Sequence, residues 1–154
     1  MTSAKSILMF FAGSAIMYVV ASYVAGFVGI GLGEGQYYPP SSNALDFLRA
    51  IPSQSIVFPE AVVHGLLLGI VFYPFRGRIL ELGRLYGGLA ISCVIFVLGE
   101  VIASLDQSVY YIPIPIGYYE VVATELLIQA LLFGQLMFLW EKRFNRAVIV
   151  GTAP

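Results

Sequence analysis

Long apolar runs separated by short polar segments are the dominant pattern along the chain. A helix needs about 20 mostly apolar residues to cross the hydrocarbon core of a bilayer, and four runs meet this requirement. They predict four transmembrane helices at about 7–31, 57–75, 84–105 and 117–140. The fold class predicted is therefore all-α, an integral membrane four-helix bundle in a single transmembrane domain over residues 1–154.

The composition favours lipid over water as the solvent of these helices. Of the 154 residues, 59% are hydrophobic and 11% are charged, whereas a soluble domain is about half apolar and about a quarter charged. The net charge of −1 gives no reason to expect a nucleic-acid partner, and the single cysteine cannot form an intramolecular disulfide. The first run, preceded by Lys5, could also be a signal peptide, but it exceeds the usual apolar length of about 7–15 residues.

The basic residues predict an orientation. Short cytoplasmic loops carry an excess of Lys and Arg, and seven of the eight basic residues flank the same ends of the four runs. These seven are Lys5, Arg76, Arg78, Arg84, Lys142, Arg143 and Arg146, whereas Arg49 is in the segment between the first two runs. We therefore expect both termini in the cytoplasm, and the segments at about 32–56 and 106–116 outside.

The second and fourth runs resemble each other at an offset of 65 residues. The matched positions are Glu60 with Glu125, His64 with Gln129, Gly65 with Ala130, and Gly69 with Gly134. This match predicts an internal repeat of two helical hairpins, and the alternative is convergence of composition in lipid-facing helices. The small residues Gly65, Gly69, Ala130 and Gly134 are predicted to allow close helix packing, as small residues do in membranes.

Polar residues inside the runs concentrate toward the predicted outer side. Charged side chains facing lipid cost about 2.5 kcal/mol or more at the bilayer centre, so we expect these residues to face one another. The spacing of four residues puts Glu60 and His64 on one helix face, and Glu125 and Gln129 on another. The predicted polar cavity, open to the outside, is formed by Glu60, His64, Glu100, Glu120, Glu125 and Gln129.

Three interpretations of this cavity compete. In the first, Glu60, His64, Glu100 and Glu125 bind a divalent metal, because one imidazole with carboxylates suits Zn, Mn or non-haem Fe. In the second, the carboxylates handle protons or a cation in a transporter-like unit. In the third, the polar groups fix helix packing or bind partner chains.

The interpretations differ in the activity and partners that they imply. A metal site would favour a metal-dependent membrane enzyme with a divalent metal cofactor, but the only histidine is within a span, which makes a Ser-His-Asp mechanism improbable. The function predicted first is a transporter-like, ion- or proton-handling protein or a subunit of a larger membrane assembly, ahead of the metal-dependent enzyme, and a purely structural membrane scaffold is a further alternative. The expected partners are the lipid bilayer and further protein chains, either copies of itself or other subunits.

Overall fold

The computed structural model describes residues 4–33, 54–97 and 116–150, and throughout these ranges the backbone is helical apart from short turns. The helices are α1 (Ala4–Gly31), α2 (Gln54–Phe72), α3 (Arg76–Glu81), α4 (Gly83–Val94) and α5 (Ile116–Val150). A 3-10 turn, Tyr73–Phe75, joins α2 to α3. The all-helical fold class predicted from the sequence is confirmed for the described residues.

Three helical stretches are long and apolar enough to cross a membrane. They are Ala4–Gly31, Val57–Glu81 and Glu120–Phe144, and the shorter apolar stretch Gly83–Val97 corresponds to the predicted third span. The remainder of that span, residues 98–105, lies outside the described residues. Length and composition therefore support three to four membrane-spanning helices.

The second span is predicted to end at about residue 75, just after Pro74, but the helical path continues beyond it. The α-helix ends at Phe72, Pro74 occupies the start of the 3-10 turn, and α3 resumes at Arg76. Proline is tolerated at the first positions of a helical segment because its missing N–H would have no intrahelical acceptor there. Arg76 consequently begins a helix instead of lying in an open loop.

The last helix is longer than the span predicted at 117–140. α5 extends to Val150, because no proline or glycine interrupts the chain between Gly134 and Gly151. Lys142 and Arg143 therefore project from a helix that continues past the apolar region.

The helices pack in a row in which α1 and α5 are the two inner members and run antiparallel to each other. α1 contacts both α2 and α5, and α5 also contacts α4. Along α1 and α5 the sequence runs in opposite directions, since Trp140 lies beside Met9 and Gln129 beside Ser22. Within the described residues the extensive contacts form the row α2–α1–α5–α4, and closure of that row into a four-helix bundle stays a prediction.

Small residues bring the helix backbones together, and large apolar residues cover the outside. Ala21 and Ala25 of α1 are fully buried, as is Phe133 of α5. By contrast, Phe27 is 73% exposed and Ile70 60% exposed. Such a distribution would cost free energy in water, whereas lipid chains, which are as apolar as these side chains, would solvate them without that cost.

Candidate functional site

A buried side-chain hydrogen bond joins α5 to α1. Gln129 is 8% exposed, and its Nε2 donates to the Oγ of Ser22 at 3.0 Å. A buried amide without a partner would be costly, so this bond is what makes Gln129 tolerable between two apolar helices. It also fixes the register of α5 against α1 at this height.

Glu125 lies one helical turn from Gln129, toward the start of α5. Its side chain is half-buried, and its Oε1 would lie 3.7 Å from a Cβ added at Gly26. Gly26 is one turn from Ser22, so the Glu125 carboxylate lies beside the same face of α1 as the Gln129–Ser22 hydrogen bond. Ser22, Gly26, Glu125 and Gln129 together form what we call the polar strip between α1 and α5.

Tyr18 continues this face of α1 by one further turn and connects it to α2. Its buried ring has its centroid 5.8 Å from that of His64 on α2 and 5.6 Å from that of Phe133 on α5. His64 is itself exposed, and so is Glu60 one turn away. The structure therefore places His64 beside Tyr18, with the ring of Tyr18 between His64 and Phe133 of α5.

The remaining members of the predicted cavity are less closely associated with the strip. Glu120 is exposed, and its position five residues before Glu125 puts it on a different face of α5. Glu100 lies outside the described residues. Among the residues that are described, no three His, Cys, Asp or Glu side chains form a group able to hold a metal ion. The set Glu60, His64, Glu100 and Glu125 stays a prediction.

Gly65 and Gly69 lie where α2 approaches α1 most closely. A Cβ added at Gly65 would lie 2.6 Å from the Cα of Ala15, and one at Gly69 would lie 2.9 Å from the ring of Phe11. The Oγ of Ser14 donates to the carbonyl of Gly65 at 2.5 Å. These glycines therefore allow backbone contact and a hydrogen bond between the two helices.

The matched positions on α5 lie in the second packed pair of helices. Ala130 is 1% exposed, and a Cβ added at Gly134 would overlap Ser92 and the carbonyl of Gly88 on α4. Gly88 itself lies against the side chain of Gln135. Of the small residues predicted to pack closely, Gly65 and Gly69 thus lie at the α1–α2 contact and Gly134 lies at the α4–α5 contact. Ala130 is buried in the core.

The structure also contains a buried ion pair at the opposite end of the helices. The Nε of Arg76 lies 2.9 Å from the Oε1 of Glu141, with side chains 13% and 8% exposed. Nη2 of Arg76 donates to the Oγ of Ser6 at 2.9 Å. The guanidinium also lies over the rings of Phe10 and Tyr73, at 5.6 Å and 5.5 Å.

The predicted polar cavity does not include this ion pair. The spans predicted from hydropathy exclude both residues, because Arg76 and Glu141 each follow the predicted end of a span. The signal was periodicity, since Glu141 continues the buried stripe of α5. That stripe contains Ala130, Phe133, Gly134, Met137 and Phe138.

The chain matches no known protein family, no curated protein and no solved structure. No activity can therefore be transferred from a relative. The function is inferred from the polar strip, from the exposed polar residues of α2, and from the charges at the two ends of the helices.

Proposed function

We propose that the chain is a four-span integral membrane protein that handles protons or small cations at the polar strip. Three membrane-length apolar stretches and a shorter fourth one support insertion. The basic residues at one end support an orientation with both termini in the cytoplasm, which places the strip toward the outer side. A reporter enzyme fused to the C-terminus, active only in the cytoplasm, tests this orientation.

The observation that supports ion handling is the placement of Glu125 and Gln129 at a helix contact. Apolar and small residues suffice for packing in a membrane, and Ala21 and Ala25 of α1 are fully buried in this way. Ionisable residues inside spans are costly, and they commonly mark ion pathways or proton relays. The carboxylate of Glu125, followed by the Gln129–Ser22 hydrogen bond, provides a proton-accepting group and a polar continuation toward Tyr18.

The experiment compares two neutralised carboxylates on the same helix. The purified protein is reconstituted into liposomes containing a pH-sensitive dye, and a proton or potassium gradient is imposed. We expect flux above that of empty liposomes, a loss of at least about tenfold in Glu125→Gln, and no loss in Glu120→Gln. The tenfold figure corresponds to about 1.4 kcal/mol of lost stabilisation along the path.

Two results would contradict the proposal. Flux equal to that of empty liposomes would exclude ion handling by this chain alone, and unchanged flux in Glu125→Gln would exclude the strip as its route. The melting temperature of each variant in detergent shows whether a loss of flux reflects loss of the fold. If the wild-type protein showed no flux and Glu125→Gln lowered the melting temperature, the polar strip would have a role in packing only.

A second candidate function is that of a subunit in a membrane assembly, and a different observation favours it. α2 has one stripe of buried residues, Ala61, Gly65, Gly69 and Phe72, and beside this stripe Glu60 and His64 are exposed, with His64 at the edge where its ring meets Tyr18. Polar residues on a lipid-facing surface are costly, so a second chain against this face would lower that cost. Native mass spectrometry in mild detergent tests this, and a monomer at every concentration would contradict it.

We further propose that the helices α1–α2 and α4–α5 derive from a duplicated hairpin. The supporting contacts are those of the matched glycines: Gly69 lies against Ser14 of α1, and Gly134 lies against Ser92 of α4. In each hairpin a glycine of the second helix thus meets a serine of the first. Two spans per repeat give units of the same orientation, related by an axis along the membrane normal.

A further inference from the structure

We infer that the end of the molecule opposite the polar strip binds the headgroups of anionic phospholipids. We call this surface the basic end. It comprises the side chains of Lys5, Arg78, Arg84, Lys142 and Arg143. The inference rests on the proposed membrane insertion, because it requires these residues to lie at the height of lipid headgroups.

Helix packing brings these residues to one end of the molecule. The contacts of Arg76 with Ser6 and with Glu141 hold the beginning of α1, the beginning of α3 and the end of the apolar part of α5 together. Lys5 is adjacent to Ser6, Lys142 and Arg143 follow Glu141, and Arg78 is two residues after Arg76. Arg84 is the second residue of α4, which follows α3 through the single residue Leu82.

The charges of this surface are available to a ligand. Lys5, Arg84 and Arg143 are exposed, and Lys142 is half-exposed. Arg78 is paired with Glu81 at 2.9 Å, but both side chains are largely in solvent, at 86% and 65% exposed, where such pairs contribute little. Arg76 is different, because Glu141 neutralises it inside the protein. The surface is therefore cationic although the whole chain has a net charge of −1.

Exposed apolar side chains among the basic ones identify the ligand as a lipid. Phe75 is 58% exposed, Leu82 51%, Leu85 59% and Tyr86 69%. A free phosphate ion would leave these side chains uncovered, whereas the acyl chains of a phospholipid would cover them while its phosphate meets the basic groups. The rings of Trp140 and Phe144, tilted against each other with centroids 4.4 Å apart, lie on the same end of α5, and aromatic residues of this kind favour the membrane interface.

The binding experiment uses purified protein in an uncharged detergent. Fluorescent phosphatidylglycerol and phosphatidylcholine with identical acyl chains are titrated, and binding is followed by anisotropy. We expect phosphatidylglycerol to bind at least about tenfold more tightly, and this preference to weaken with added NaCl as exposed charges are screened. Each basic residue near an anionic surface contributes about fivefold, so Arg84→Gln with Arg143→Gln should weaken phosphatidylglycerol binding by about 25-fold.

The control variant is Arg49→Gln, which removes the one basic residue located between α1 and α2, and it should leave both affinities unchanged. Equal affinity for the two lipids would overturn the inference while leaving membrane insertion intact. Competition by glycerol phosphate at the concentration of the lipid would overturn it in favour of a free-phosphate site. Absence of the chain from the membrane fraction of expressing cells would overturn both the inference and the proposed function.

Discussion

Arg76 and Glu141 form an ion pair that ties the start of α3 to α5 in the protein interior, with Nε and Oε1 2.9 Å apart. Ser6 of α1 accepts a further hydrogen bond from the same guanidinium. Three helices that are distant in sequence therefore meet at one side chain. These contacts explain why the side chain of Arg76, two residues after Pro74, is largely buried. They also hold together the helix ends at which the other basic residues gather.

Replacement of Arg76 should destabilise the protein strongly. Arg76→Met removes the cation but leaves the buried carboxylate of Glu141 uncompensated, which costs about 3–5 kcal/mol in comparable pairs. The measurement is unfolding in mixed micelles as the fraction of denaturing detergent rises, followed by circular dichroism. We expect the midpoint to shift clearly toward a lower fraction of denaturing detergent.

Two matched variants separate this effect from a general sensitivity to substitution. Arg78→Met breaks the exposed pair with Glu81 and should change the unfolding free energy by about 0–1 kcal/mol. The double variant Arg76→Met with Glu141→Leu should recover much of the loss, because apolar replacements of both partners leave no buried charge. If Arg76→Met were as stable as Arg78→Met, the pair would have no structural role.

The close approach of α1 and α2 predicts that Gly65 does not tolerate alanine. The added methyl would lie 2.6 Å from the Cα of Ala15, so the backbones must separate and the Ser14–Gly65 hydrogen bond must lengthen. Overpacking of this kind costs about 1–3 kcal/mol. Gly134→Ala should cost a similar amount at the α4–α5 contact, as measured by the same unfolding titration.

Gly77→Ala provides the control, since Gly77 lies in a helix and a Cβ there meets nothing within 4 Å. Alanine has the higher helix propensity, by about 0.8–1.0 kcal/mol, so this variant should be equal to or more stable than the wild type. Destabilisation by Gly77→Ala together with tolerance of Gly65→Ala would contradict the packing described for α1 and α2.

The buried amide of Gln129 makes a prediction about Ser22. Ser22→Ala removes the hydroxyl that accepts from Nε2 of Gln129, and an unsatisfied buried donor costs about 1–3 kcal/mol. Ser22→Ala with Gln129→Leu should be closer to the wild type than Ser22→Ala alone, because no buried donor then remains. Additive losses in this double-mutant cycle would show that the two side chains do not interact.

Hydropathy along the chain was enough to predict the helical class and the approximate positions of the helices. It was not enough to predict which side of each helix would be buried. The end of α1 at Gly31 and the all-helical class follow from one long apolar run and its neighbours. By contrast, a run of apolar residues does not indicate which neighbour a face will meet, so the exposure of Glu60 and His64 could not be predicted.

The buried pair shows the same limit. Arg76 directly follows the predicted second span, and its partner is 65 residues away along the chain. Only the packing of α3 against α5 brings Arg76 and Glu141 together. Gly65 and Gly69 could be chosen from sequence because small residues at a spacing of four favour helix contacts wherever the partner helix lies.

Trp140 is the only tryptophan of the chain, so its fluorescence reports directly on the α1–α5 contact. Its Nε1 donates to the carbonyl of Met9 at 3.0 Å, and a Cβ added at Gly13 would overlap the indole ring. Gly13→Ala should therefore displace the indole, raise its quenching by acrylamide and lose a hydrogen bond of about 0.5–1.5 kcal/mol. Gly31→Ala is the matched control, because a Cβ at this other helical glycine of α1 meets nothing within 4 Å. Identical quenching of Gly13→Ala, Gly31→Ala and the wild type would mean that α1 and α5 do not meet at this tryptophan.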